Sequence, residues 1–176
     1  MDALQNANQL ITALDRAIRA KTSLEKPGQV FTGIDIGTAN VVSVVVDSAG
    51  KPLGGEITPA KVTREGLIVD YSGATQIVMR QVEALSARLG TKLSYAMSAI
   101  PPCTEIGNAK VTANILESVG LEVLGMVDEP EAAAMVLGLP DGAVVDVGGG
   151  TTSISLLENG KVVFSEDEPT GGFHFD

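Results

Sequence analysis

The stretch VVDVGGGTTSISLLENGKVV, residues 144–163, decides how the rest of the chain is read. An apolar run stops at Asp146, passes through Gly148, Gly149, Gly150 and two threonines, and turns apolar again. Three consecutive glycines cost conformational entropy and bury no side chain, so a core strand gains nothing from them. They fit a place where another group must approach the backbone closely. Residues 31–51, FTGIDIGTANVVSVVVDSAGK, have the same construction: an apolar run carrying Asp35, then Gly37-Thr38, then a second apolar run. Two strand–turn–strand units of one design imply a ligand shared between them.

Backbone N–H groups in a tight Gly/Thr turn point outward and bind anionic oxygens, and glycine lets the backbone approach without a Cβ clash. A pair of such turns can grip a polyphosphate. Asp35 and Asp146 cannot face phosphate directly, but they can hold a hydrated Mg²⁺ that bridges to it. No G-x-G-x-x-G opens a helix and no G-x-x-x-x-G-K-[ST] is present, which argues against the Rossmann and P-loop nucleotide sites.

Composition agrees with one medium domain: 176 residues, 44% hydrophobic, with no tryptophan and 3% aromatics. A core built from Val, Ile, Leu, Ala and Met is therefore expected. The formal net charge of −10, with no basic stripe, argues against nucleic acid and anionic membranes as partners. No apolar run reaches the roughly 20 residues of a membrane span, and no secretory signal is visible, so a cytoplasmic location is expected. Cys103 is the single cysteine, which excludes an internal disulfide and reads as a reduced thiol near a loop. His174, the single histidine, is assigned no role.

Along the chain, apolar residues Leu4, Leu10, Ile11, Leu14 and Ile18 predict an amphipathic helix over 2–20, broken by Pro27-Gly28. Such a helix either folds back on the domain or docks on a partner. Strands are expected at 30–36, 41–47 and 52–60, the first two joined by GTAN as an antiparallel hairpin. A crossing loop, REGLIVDYSG, precedes a helix over 74–89 that ends at Gly90. Then come a strand at 93–100 stopped by Pro101-Pro102, a helix over 104–119, a strand at 121–127 and a helix over 128–139 with Pro130 in its first turn. Three strands in 142–167 close the chain. The alternating part requires parallel pairing with helices on the sheet. The expected architecture is α/β: a mixed five-strand sheet, antiparallel only in its early strands, flanked by helices.

With residues 127–139, VDEPEAAAMVLGL, between them, the two loops resemble those of the actin/Hsp70/MreB ATPase superfamily. GIDIGTAN is similar to its first phosphate loop, DVGGGTTSISLL to its second, and DEPEAAAMVLGL to the helix connecting its lobes; REGLIVDYSGA is similar to a segment of the MreB-like branch. VVSVVVDSAGKP, SAIPPCTE, ANILESVGLEV and PTGGFHFD resemble the Hsp70-like branch of bacterial ethanolamine utilisation. The resemblance covers residues 30–176 and implies an RNase H-like, actin-like ATPase lobe. It implies that Asp35 and Asp146 orient Mg²⁺ through water. The amides of Gly37, Thr38, Ala39 and Asn40 would hold one side of the phosphates of ATP or ADP, and Gly148, Gly149, Gly150 and Thr151 the other. Glu129 would orient the attacking water. Catalysis of this type is positioning and charge stabilisation.

Two departures follow from the same resemblance. Ala39 replaces a second threonine of the Hsp70 first loop, and the chain ends at Asp176, where a helix-rich adenine-binding lobe should begin. The expected division is an N-terminal helix and linker at 1–27, a first lobe at 28–140, and the opening strands of a second, truncated lobe at 141–176. An open site of this kind should bind nucleotide weakly, with Mg²⁺ and little base preference, and turn it over negligibly. The implied role is chaperone-like service to the ethanolamine-utilisation microcompartment, with its enzymes or shell proteins as clients. The alternative is a nucleotide-gated scaffold or filament protein of the MreB/FtsA type. A sugar or acetate kinase on the same fold ranks lower, because no acceptor-binding insert is visible. The uncovered edge favours self-association.

Overall fold

A computed structural model of the chain describes residues 3–20, 27–64 and 66–174. Its first unit is a five-stranded sheet in the order β3-β2-β1-β6-β7. The strands are β1 (Val30–Ile36), β2 (Asn40–Asp47), β3 (Pro52–Pro59), β6 (Tyr95–Ile100) and β7 (Glu122–Asp128). β1 to β3 pair antiparallel, whereas β1–β6 and β6–β7 pair parallel, which is the mixed sheet that the element order demands. A second, three-stranded antiparallel sheet is ordered β10-β9-β8, from β8 (Gly142–Val147), β9 (Thr152–Glu158) and β10 (Lys161–Glu168).

Alternation in β2 sends Val41, Ser43 and Val45 into the core and the intervening residues outward. Ile34 of β1 joins them, and helix α2 (Tyr71–Leu89) lays Val78, Val82, Leu85 and Leu89 over the same face. Helix α3 (Ile106–Ser118) adds Ile115 and Leu116. Among the described residues no aromatic side chain enters the buried cluster. One buried polar network ties helix to sheet. Gln81 of α2 donates to the Val41 carbonyl at 2.9 Å and to Thr58 Oγ1 at 2.8 Å, while its own Oε1 accepts from Ser43 at 2.6 Å.

The segment read from sequence as a plain crossing loop is instead pinned by a two-residue pair, β4 (Thr63–Arg64) with β5 (Leu67–Ile68). Helix α2 begins earlier than the apolar pattern indicates, because the Asp70 carboxylate accepts from the Gly73 amide and caps it at 2.8 Å. Gly90 ends it in the left-handed conformation that glycine adopts without strain.

Helix α1 (Ala3–Arg19) lies on the sheet face opposite α2. Adjacent glycines of β3 make this two-sided packing feasible. A Cβ on Gly54 would meet Leu85 and Arg88 of α2, and one on Gly55 would come within 2.8 Å of Ile18 of α1. Arg88 joins the layers, donating to the Gly55 carbonyl at 2.9 Å and pairing with Glu56 at 3.3 Å. Ala7 of α1 is fully buried, while Leu4 and Ile11 stay exposed, so only part of the apolar stripe is used. The break expected after this helix falls partly on residues 21–26, outside the described residues.

Helix α4 (Glu129–Leu137) connects the two sheets, touching β6 and β7 on one side and β8 and β9 on the other. A small cluster of Ala134, Val144 and Leu157 fixes it to the second sheet. The far face of that sheet is apolar and uncovered: Val145, Val147, Ile154, Leu156 and Phe164 are each 43–60% exposed. Among the described residues no helix is long and apolar enough to cross a membrane.

Candidate functional site

The two glycine turns are built alike. β1 and β2 close through Gly37 N–H donating to the Asn40 carbonyl at 3.0 Å, and β8 and β9 through Gly148 N–H donating to the Thr151 carbonyl at 2.9 Å. In each hairpin the aspartate sits two residues before the first glycine. Asp35 faces Val42 across its hairpin, and Asp146 faces Ser153 across its own. Both turns lie at one end of the molecule, beside the carboxyl ends of the parallel strands β6 and β7, where open α/β sheets place their ligands.

The turns touch. A Cβ on Gly149 would come within 3.1 Å of the Ala39 methyl, and one on Gly150 within 3.0 Å of the Thr38 side chain. A side chain at either position would therefore force its neighbour across the junction to shift by a few tenths of an ångström. The Gly171-Gly172 turn braces the second loop from behind, with Gly172 N–H donating to the Gly148 carbonyl at 2.8 Å and Phe173 N–H to the Gly149 carbonyl at 3.0 Å.

Beside this junction lies a cavity of about 360 Å³. Of the eleven residues proposed from sequence, ten line it: Asp35, Gly37, Thr38, Ala39, Asn40, Glu129, Asp146, Gly148, Gly149 and Thr151. Gly150 does not; it turns to the opposite side, against Thr38, and lines a second cavity. Glu129 enters because β7 ends at Asp128 and α4 starts at once, with Pro130 in its first turn, so the helix begins at the cavity wall.

The carboxylates oppose one another. Burial pushes Asp35 up to about 6, and the charge of Asp146 adds to it. Burial pushes Glu129 further, to about 8, reinforced by the charges of Asp35, Asp146, Asp167 and Asp128. Desolvation and like charges both disfavour the ionised form. A cavity of this kind accepts a cation readily and a bare anion poorly. Among the described residues no three His, Cys, Asp or Glu side chains stand close enough to chelate an ion directly.

The sequence reading missed several neighbours. Thr63, Gly66 and Pro101 also line the cavity. Asp167 accepts from Ser153 Oγ at 2.7 Å, and the register Asp146–Ser153–Asp167 runs straight across the second sheet. A bulge between Val162 and Phe164 shifts the register by one residue, so counting from the hairpin turn would have paired Ser153 with Glu166 instead. Cys103 is exposed, as expected of a loop thiol, with its backbone at φ 61°.

A family model described as MreB/Mbl protein matches residues 49–176. The ethanolamine utilization protein EutJ of Escherichia coli K12 is 41% identical over 166 residues, covering 94% of this chain and 58% of that protein. The crystal structure of EutJ from Carboxydothermus hydrogenoformans superposes with a TM-score of 0.90 at 42% identity, over 99% of this chain and 64% of the other. MreB5 of Spiroplasma citri bound to ADP superposes with a TM-score of 0.70 at 21% identity, over 84% of this chain and 54% of the other. The chain thus spans somewhat more than half the length of the relatives it matches.

Proposed function

Since the chain belongs to the MreB/Mbl family and carries the actin-like ATPase fold, we propose that it binds the phosphates of ATP or ADP with Mg²⁺ between its two glycine turns. The observation that supports this most directly is the convergence of Asp35, Asp146 and Glu129 with both turns on one cavity. Three carboxylates without a cation among the cavity-lining residues repel each other and any phosphate; a hydrated divalent ion relieves both repulsions at once. Asp35 and Asp146 would hold a hydrated Mg²⁺ through its water. The amides of the 37–40 and 148–151 turns would donate to phosphate oxygens, and the Thr151 hydroxyl would add a donor. Bound Mg²⁺ would supply charge neutralisation of the phosphates. Glu129, at the cavity wall, would orient a water toward the terminal phosphate in its ionised form.

In the cell this reading makes the protein a nucleotide-dependent, chaperone-like factor of ethanolamine utilisation, cytoplasmic and associated with the microcompartment. Its similarity to EutJ supports that role, and the enzymes or shell proteins of the system are its proposed clients. A nucleotide-gated filament or scaffold is the second reading, supported by the fold shared with MreB5.

Titration calorimetry with ADP and ATP tests the site. Binding should require Mg²⁺, and Asp146→Asn should weaken it about tenfold while leaving the fold intact. Equal affinity with and without Mg²⁺, or no effect of Asp146→Asn, would remove the phosphate-clamp reading. Sedimentation with and without nucleotide separates the two cellular roles.

A further inference from the structure

On the opposite side of the joined turns lies a second cavity, of about 500 Å³. The two cavities share Thr38 and Thr63 but differ in charge. The first is walled by Asp35, Asp146 and Glu129. The second is lined by Lys61, Arg64 and His174 and, among the described residues, by no carboxylate. Cationic side chains are the minority in this chain, 12 Lys and Arg against 22 Asp and Glu. Their gathering at one cavity is therefore opposite to the overall charge. Neither Lys61 nor Arg64 takes part in an ion pair among the described residues.

The remaining donors suit the same ligand. Thr63 Oγ1 donates to Thr38 Oγ1 at 3.2 Å, which leaves the Thr38 hydroxyl proton free to donate elsewhere. His174 Nδ1 lies 3.0 Å from the Gly171 amide, which donates to it. Phe173 supplies an apolar wall.

We infer that this cavity is a second oxyanion site, taking a phosphate group directly on Lys61, Arg64 and the Thr38 hydroxyl without a divalent cation. Charge-assisted hydrogen bonds from Lys and Arg are the interactions that recognise phosphate. The site does not depend on nucleotide binding in the carboxylate cavity. Its occupant is either free orthophosphate or the terminal phosphate of a nucleotide, which present the same oxygens.

The test is a calorimetric and ³¹P NMR titration of the 176-residue chain with sodium phosphate in EDTA. Unaltered protein and the Asp35→Asn/Asp146→Asn variant should both bind saturably. Lys61→Gln/Arg64→Gln should bind about tenfold more weakly, and rising NaCl should weaken binding through screening. Circular dichroism confirms that each variant is folded. No saturable binding in EDTA, or equal binding by the Lys61→Gln/Arg64→Gln variant, overturns the assignment. Competition between ATP and orthophosphate in EDTA would identify the nucleotide tail as occupant, and independent binding would identify free phosphate; both support the site. A chain that fails to bind Mg-ADP but still binds phosphate in EDTA would refute the nucleotide reading and leave this one standing.

Discussion

Replacing Glu129 by Gln should stabilise the nucleotide-free protein at alkaline pH and have no effect at acid pH. Glu129 is held at about 8 against an ordinary 4.5, first by burial and then by Asp35, Asp146, Asp167 and Asp128. The folded state therefore binds a proton more tightly than the unfolded chain. Below pH 4.5 both states carry it and the residue is neutral for stability. As pH rises from 4.5 to 8 the unfolded chain gives up the proton first, so stability falls across that window. At 1.36 kcal/mol per pH unit the ceiling is about 5 kcal/mol. Glu129 keeps some access to water, so we expect about 2–3 kcal/mol at pH 8.5. For a domain of this size that is a rise in Tm of about 5–10 °C in Glu129→Gln. Asp35 contributes in the same direction over 3.8 to about 6. The assay is thermal and urea unfolding of both proteins from pH 4.5 to 8.5. The difference between them should grow with pH. A constant difference, or a variant less stable at pH 8.5, would show that Glu129 is not held protonated by burial and the neighbouring carboxylates.

Gly171→Ala should damage the second glycine turn, because its Cβ would lie 2.6–2.7 Å from the Gly148 oxygen, the Gly149 carbon and the Gly150 nitrogen. A loss of about 1–3 kcal/mol in urea unfolding is expected, together with impaired nucleotide binding, and wild-type values for both would contradict the brace. Leu85→Ala, at a fully buried site under β3, should cost about 2–5 kcal/mol by the same assay; a cost below 1 kcal/mol would place Leu85 outside the core. Val145 and Ile154 are register partners on the uncovered sheet face. The double change to Lys should leave Tm within a degree or two and reduce self-association in analytical ultracentrifugation, and unchanged association would move the contact to another surface.

The mixed sheet was legible because the element order leaves few choices. Three strands joined by short turns must pair antiparallel, and strands separated by helices must pair parallel. The Asp-x-Gly turns were legible because consecutive glycines and threonines after an apolar strand have no use in a core. The early start of α2 and the β4–β5 pair were not, since Asp70 acts as a cap and Thr63 pairs with Ile68 only through local backbone geometry. The turn of Gly150 away from its neighbours, into contact with Thr38, could not be read from three identical letters. Nor could the charge that Asp167 adds to Glu129, or the gathering of Lys61, Arg64 and His174, which come from segments more than a hundred residues apart. Sequence alone determined where the two glycine turns fall and how the strands alternate, because hydrophobic period and turn residues are local properties of the chain. The tertiary structure decided which charges meet, and so how far each carboxyl is shifted and which cavity is acidic or basic. Those energies depend on distance and burial, which are set only when remote segments pack.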